Sequence, residues 1–333
     1  MYQTTPRPIR NSPIFAAMTV AAILGAKSLQ AGDVAYWRFE EGPAGANVAR
    51  NGQADGTFYG AVADSSGNGN TLSAWSDGSY AGYSYRANVG SSFVPETGAA
   101  NNFSVKNTGG SPAMFTQTGS ALQTWTPSQW TIEASFKLEN GGYRTIVGRD
   151  SKGATPNPDG NLAAMYLQAI PGNALAIKYA DVSGVWHEAV SAQNIFTGFD
   201  FPTDNDGNLA PWYSMAATSD GSTLSLYLRQ MGVGDTGWNL IAQTDMTGSG
   251  SANTAMSAGT GSGSDWSAGN FSVGRGLYNG GHTDRAYGYI DEVRFSDAAL
   301  NPGSFLMSTP EPGTAALVLV GMGVVAIRRR QRA

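Results

Sequence analysis

The sequence predicts an all-β domain built as two packed antiparallel sheets, and three observations carry that prediction. Short alternating or apolar runs, each bounded by Gly, Asn, Asp or Ser, recur from Gly32 to about Ser308. No convincing amphipathic helical run interrupts them. The composition agrees: 44 of 333 residues are Gly, aromatics reach 11% and charged residues only 14%, which suits an extracellular β-protein with long turns.

The first expected strand is "VAYWRF" (34–39), followed after a polar interval by "WTIEASFKL" (130–138) and "YRTIVGR" (143–149). "AAMYLQAI" (163–170), "ALAIKYA" (174–180) and "WHEAVSA" (186–192) form a middle group. "WYSMAATS" (212–219), "TLSLYLR" (223–229), "FSVGRG" (271–276) and "YGYIDEVRFS" (287–296) complete the set. In "WTIEASFKL", Trp130, Ile132, Ala134, Phe136 and Leu138 fall on one face, and Thr131, Glu133, Ser135 and Lys137 on the other. Turn chemistry joins two adjacent pairs, through Asn140-Gly141-Gly142 and through Asp220-Gly221. Three stretches read as loops: 83–127, 196–211 and the Gly/Ser-rich 247–265, the last expected to be mobile. No internal repeat is evident, so 32–308 reads as one domain.

Net charge is −5, and much of the positive charge sits at the two ends, in Arg7, Arg10 and Lys27 and in Arg328, Arg329, Arg330 and Arg332. The acidic middle argues against nucleic acid as a partner. With no Cys, the chain has no disulfides, thiolate metal sites or thiol nucleophiles.

Both ends read as signals. Residues 1–31 have a basic start, an apolar run over 12–26 and Ala31 before Gly32, the layout of a secretory signal peptide cleaved after Ala31. At the other end, 309–333, Pro310-Glu311-Pro312 precedes an uncharged apolar stretch over 314–327 and the cluster Arg328-Arg329-Arg330. As a helix that stretch reaches roughly 21 Å, short of a ~30 Å hydrocarbon core, with its arginines on the cytoplasmic side. This order resembles the PEP-CTERM sorting signal of Gram-negative bacteria that make extracellular polysaccharide. The resemblance implies an exosortase as processing partner and a transmembrane helix that holds the chain only transiently. The mature protein is then expected in the cell envelope or extracellular matrix.

The central region has its own resemblance. "AYWRFEEG", "VADSSGNGNTLSAW", "WTIEASFKL" with "TIVGRD", "WYSMAATSDGSTLSLYLRQ", "FSVGRG" and "YGYIDEVRFSDAALNPGSF" follow one another in order. This series resembles the LamG-like, concanavalin A-like lectin/glucanase jelly-roll family across nearly all of 32–308. The resemblance implies a final strand that returns beside the first, and a function as a binding module or a polysaccharide hydrolase.

The residues favour binding. Glucanases resembling this family carry two Glu in an E-x-D-x-x-E strand, because acid and nucleophile flank one glycosidic bond. Here Glu133 and Glu139 are six apart, while Glu40-Glu41 and Asp291-Glu292 are adjacent and point to opposite faces. His187 and His282 are the only histidines, and no serine stands in a nucleophile elbow. Catalytic residues are therefore expected to be none. A hydrolase or lyase with a site dispersed over separate strands, and a purely structural matrix protein, stand as the alternatives.

For a glycan, aromatic side chains matter, since they stack on the apolar faces of sugar rings. Trp75, Tyr80, Tyr83 and Tyr85 cluster in a stretch that reads as too polar for core, with Trp238, Trp266 and Tyr278 in other loops. Trp37, Trp130 and Trp212 read as core. In "ADSSGNGN" (63–70), Asp64, Ser66, Asn68 and Asn70 present oxygens at alternate positions, a pattern shared by calcium loops and by plain Asx turns. The family resemblance tips this toward a structural calcium, with Asp291 and Glu41 as the more distant ligands beside Asp64 and Asn68.

Overall fold

The computed structural model describes residues 32–48, 60–75, 82–108, 113–139, 142–151, 160–199, 210–259 and 269–309. The expected N-terminal signal helix and C-terminal membrane helix lie outside the described residues. Among those described, no helix is long and apolar enough to cross a membrane.

Among the described residues eighteen strands follow one another, with two short 3₁₀ turns (121–124 and 302–304). The first six are β1 (Asp33–Trp37), β2 (Gly60–Val62), β3 (Leu72–Trp75), β4 (Tyr83–Arg86), β5 (Ser104–Asn107) and β6 (Ala113–Thr116). Next come β7 (Trp130–Leu138), β8 (Arg144–Arg149), β9 (Met165–Ile170), β10 (Ala174–Ala180), β11 (Trp186–Val190) and β12 (Tyr213–Ser219). The last are β13 (Thr223–Gln230), β14 (Asn239–Asp245), β15 (Phe271–Val273), β16 (Gly276–Tyr278), β17 (Gly281–Thr283) and β18 (Gly288–Ser296).

They form the expected jelly-roll sandwich of two antiparallel sheets. The first sheet runs β14-β13-β12-β7-β18-β5-β4, with β1 also paired to β18. The second runs β11-β10-β9-β8-β15-β6-β3-β2, and β16-β17 is a separate hairpin. β18 is the closing strand and returns beside the first: Ala35 opposes Phe295, and Trp37 opposes Val293. Its other half pairs with β5 through Tyr289 and Ile290. The change of neighbour falls at a bulge between Asp291 and Arg294, where Glu292 has φ +48.

The alternation in β7 decides the packing. Trp130, Ile132, Ala134, Phe136 and Leu138 all enter the core between the sheets. There Trp37 meets Phe295 edge-on at 5.2 Å, and Phe271 meets Phe295 at 4.8 Å. The opposite face of β7 is buried too, because a second apolar layer covers the first sheet from outside. Tyr36, Val94, Phe199, Trp212, Met231, Tyr289, Leu306 and Met307 make up that layer. Trp212 is thus buried, but outside the main core.

Beneath this layer, Arg294 Nη2 lies 2.5 Å from Glu133 Oε2 and donates to the Ser304 carbonyl at 2.8 Å. The other oxygen of Glu133 accepts from Leu306 N–H at 2.7 Å. Lys106 and Lys137 lie over the Tyr289 ring at 5.0 and 5.5 Å.

Several expectations need correction. Residues 83–127 are not a loop, for they carry β4, β5 and β6, short strands whose mixed residues are buried on both faces. The Asn140-Gly141-Gly142 turn does not join a hairpin, because β7 and β8 belong to different sheets. Asp220-Gly221 does, with Ser219 opposing Leu224. The described part of the Gly/Ser-rich stretch is held in place: Tyr179 OH donates to the Thr254 carbonyl at 2.9 Å, and Met246 and Met256 are buried.

Removing one member of a buried ion pair leaves the other charge stranded, at a cost of about 3–5 kcal/mol. Arg294→Met should therefore lower unfolding stability by that amount in urea titrations. The paired change Arg294→Met with Glu133→Leu should cost less than Arg294→Met alone.

Candidate ligand-binding groove

The outer face of the second sheet is partly covered as well, with Tyr166, Gln168 and Ala176 buried, and it carries a groove. On β9, Met165, Leu167 and Ala169 point into the core, so Tyr166 and Gln168 point outward. On β10, Leu175, Ile177 and Tyr179 point inward, leaving Ala176 and Lys178 outside. Tyr166 opposes Lys178, and Gln168 opposes Ala176.

The β16-β17 hairpin folds over this face beside β8. It can approach because Gly276 lacks a side chain; a Cβ there would lie 2.5 Å from Thr145 Oγ1. Tyr166 pins the hairpin, since its hydroxyl donates to the Leu277 carbonyl and accepts from Ala163 N–H. Asn279 N–H donates to the Asn161 carbonyl at 2.8 Å. Tyr278, at the end of β16, is thereby fixed at the rim with 44% of its surface exposed.

Between hairpin and sheet lies a groove of about 460 Å³. Its floor is Tyr166, Gln168 and Lys178, and its walls are Tyr143, Leu162, Tyr278 and Asp284. Tyr143 is half exposed, like Tyr278. Trp186 on β11 packs against the Tyr166 ring at 6.5 Å. Lys178 Nζ lies 3.1 Å from Glu188 Oε2. Gln168 Oε1 accepts from Thr145 Oγ1 at 3.2 Å, which leaves its amide NH₂ as the donor available to the groove. Burial pushes the Asp284 carboxyl up, and its bond from Thr283 together with the nearby Arg144 and Arg285 opposes that.

The aromatic residues expected to bind are placed elsewhere. Tyr83 and Tyr85 are buried in β4, where Tyr83 donates to the Gly274 carbonyl at 3.2 Å and Tyr85 to Glu41 at 3.4 Å. Their stretch looked polar because its Ser and Arg alternate with these core tyrosines. Tyr80 and Trp266 lie outside the described residues, as does the side chain of Trp75. Trp238 packs on Phe305 at 4.9 Å and is part of the outer apolar layer. Of the loop aromatics whose side chains are described, Tyr278 lines the groove. Tyr143, Tyr166 and Trp186 had been read as strand residues, and only the facing of β8, β9 and β11 identifies them.

Among the described residues, no group of three or more His, Cys, Asp or Glu is arranged for a metal. Asp64 clamps its own loop, accepting from the N–H groups of Tyr36, Ser66 and Asn70 at 2.8–2.9 Å. Three N–H donors aimed at one carboxylate do the work of a cation. Asn68 donates to the Asp33 carbonyl at 2.8 Å, and Glu41 accepts from Ala63 N–H at 2.9 Å.

Asp291 differs. It is fully buried at the β18 bulge, with Oδ2 accepting from Asn101 Nδ2 at 2.8 Å, while its Oδ1 and Asn101 Oδ1 have no donor. Beside it, Glu292 accepts from Tyr36 OH and faces Arg38 Nε at 3.4 Å. Burial pushes Asp291 well above the usual carboxylate range, and the neighbouring Glu292 adds to the rise. Burial likewise pushes Glu292 up to about 7, against relief from Arg38 and Tyr36.

Neither histidine builds a catalytic site. His187 Nε2 pairs with Asp181 Oδ2 at 2.8 Å, the oxygen that also accepts from Ser251 Oγ, and both side chains of the pair are buried. His282, in β17, is nearly buried 3.5 Å from Asp150.

Fold and groove together define an all-β sandwich domain with an open, aromatic-walled cleft on one outer face. The chain also carries an address: the model of the PEP-CTERM protein-sorting motif matches residues 308–333. That motif indicates an exported protein of a Gram-negative-type envelope. No curated protein matches the sequence.

Among solved structures, the chain is similar to the CBM40 of Ruminococcus gnavus IT-sialidase at 14% identity, covering 56% of this chain and 83% of that one with a TM-score of 0.38. It is similar to the botulinum neurotoxin serotype D binding domain at 10% identity and a TM-score of 0.42, covering 82% of this chain. It spans about half of that domain's length, 49%. For the leech intramolecular trans-sialidase the identity is 16% and the TM-score 0.40, with 58% of this chain and 25% of that one covered.

The raised pKa of Glu292 sets a pH dependence. A carboxyl whose pKa rises on folding favours the protonated native state, so its contribution is full below about 4.5 and is lost as pH rises through about 7. The loss is on the order of 3 kcal/mol. Thermal melts should therefore show lower stability above pH 7 than at pH 4.5, and Glu292→Gln should shrink that difference.

Proposed function

We propose that this protein is an exported, non-catalytic carbohydrate-binding module that uses the Tyr143–Tyr278 groove to hold extracellular polysaccharide. The observation that carries the reading is a pair of half-exposed tyrosines on the walls of one groove whose floor offers amide and ammonium donors. Sugar rings need that combination: a flat apolar surface for the ring face and fixed polar groups for the hydroxyls. Among the described lining residues Asp284 is the one carboxylate, which supports binding over glycosidic cleavage.

In this reading the signal at 1–31 is removed, the domain over 32–308 is the working part, and the tail at 309–333 is processed by an exosortase after a transient stay in the membrane. The mature module then resides in the envelope or its extracellular polymer.

A glycan array identifies ligands, and a reducing-sugar assay run on the same glycans checks for turnover. Tyr278→Ala and Tyr143→Ala should each weaken binding by about tenfold, or roughly 1.4 kcal/mol, with melting temperatures little changed. Ligand binding that survives both substitutions, or release of reducing ends, overturns the proposal.

We further propose that a structural calcium uses Asp291 and Asn101 rather than the Asp64 loop, because there two buried oxygens side by side lack donors, whereas Asp64 is satisfied. Those two oxygens are fewer than the six to eight that calcium takes, so water completes the shell and the site is weak. Millimolar calcium should raise the melting temperature, and Asp291→Asn should abolish the rise. Identical melts in calcium and in chelator remove this part of the proposal.

A further inference from the structure

The floor of the groove narrows the ligand class. Lys178 opposes Tyr166 and Ala176 opposes Gln168, so Lys178 and Gln168 are diagonal neighbours on one face. Such neighbours have Cα atoms about 7–8 Å apart. Ala176, the residue beside them both, is fully buried and does not line the groove, so the ammonium and the amide NH₂ both meet the groove beside Tyr166.

Resting on the carbohydrate reading above, we propose that the groove is specific for an acidic glycan and seats a sugar carboxylate between Lys178 and Gln168. A carboxylate has two acceptor oxygens, and each then meets one donor. A neutral sugar offers no group of that charge and shape.

The surrounding groups fit this assignment. The Lys178–Glu188 pair does not close the site, because an ammonium has three donors and Glu188 occupies one. The Glu188 side chain is 51% exposed, so the pair is a surface contact worth about 0–1 kcal/mol. Asp284 follows β17 on the hairpin wall, where its carbonyl accepts from Thr145 N–H at 2.7 Å. It accepts sugar hydroxyls and disfavours a ligand whose carboxylate points toward the hairpin, which fixes orientation. Tyr278 and Tyr143 supply the apolar surface against the sugar ring.

The test compares hexamers of galacturonate, mannuronate and glucuronate with their methyl esters, which keep the ring and remove the charge, by titration calorimetry. At least one acid hexamer should bind about tenfold tighter than its ester, or roughly 1.4 kcal/mol. Lys178→Met should erase that preference while leaving ester binding in place, and Gln168→Leu should reduce it. Glu188→Gln should strengthen the acid form, because it removes a like charge from beside the seat.

An ester bound as tightly as its acid, or neutral glycans bound through Tyr278 while every uronate fails, overturns the acidic assignment and leaves the carbohydrate reading standing. If no glycan of either kind binds, both fall.

Discussion

The Glu133–Arg294 pair is the constraint on which the rest of this structure depends. It lies inside the protein, where two charges are costly to bury unless nearly every donor and acceptor finds a partner. Arg294 meets this condition by drawing on Glu133, on the Ser304 carbonyl and, at 3.8 Å, on Asp33. Glu133 meets it by taking the Leu306 N–H. The pair therefore joins the first strand, a central strand, the closing strand and the segment after it. Separate regions of the chain must arrive together, which makes the domain rich in long-range contacts and slow to fold.

The two outer faces are covered in different ways. On the first sheet, Lys106 and Lys137 lie under aromatic rings, and residues 305–307 close over the Glu133–Arg294 pair. On the second sheet Tyr166, Gln168 and Ala176 are buried, and the half-exposed Tyr143 and Tyr278 flank a recess beside the β16-β17 hairpin. The hairpin then walls the recess instead of capping it.

Most of the fold was legible because its long strands alternate. The β7 and β10 boundaries match the expected runs, and β12, β13 and β18 differ from theirs by a single residue at one end. The short strands were not legible. "YSYR" and "SVKN" carry too few apolar residues to show a period, and both lie buried between neighbours. The groove was hidden for a related reason: an outward tyrosine in β9 looks the same in sequence as an inward one in β10. Which one faces out depends on the two-sheet arrangement. Asp64 misled in another way, because a carboxylate that collects backbone N–H groups uses the same Asx-rich pattern as one that collects a cation.

The position of the last described residues has a consequence for how the molecule is displayed. Leu306 and Met307 lie on the outer face of the first sheet, and the groove opens on the outer face of the second. Under the proposed function, attachment and recognition start from opposite sides of the sandwich, and a polymer entering the groove does not meet the face that bears residues 306 and 307. Many such molecules held side by side would present their clefts outward together. A long polysaccharide could then run from one to the next across the layer, gaining avidity from the array rather than from any single cleft.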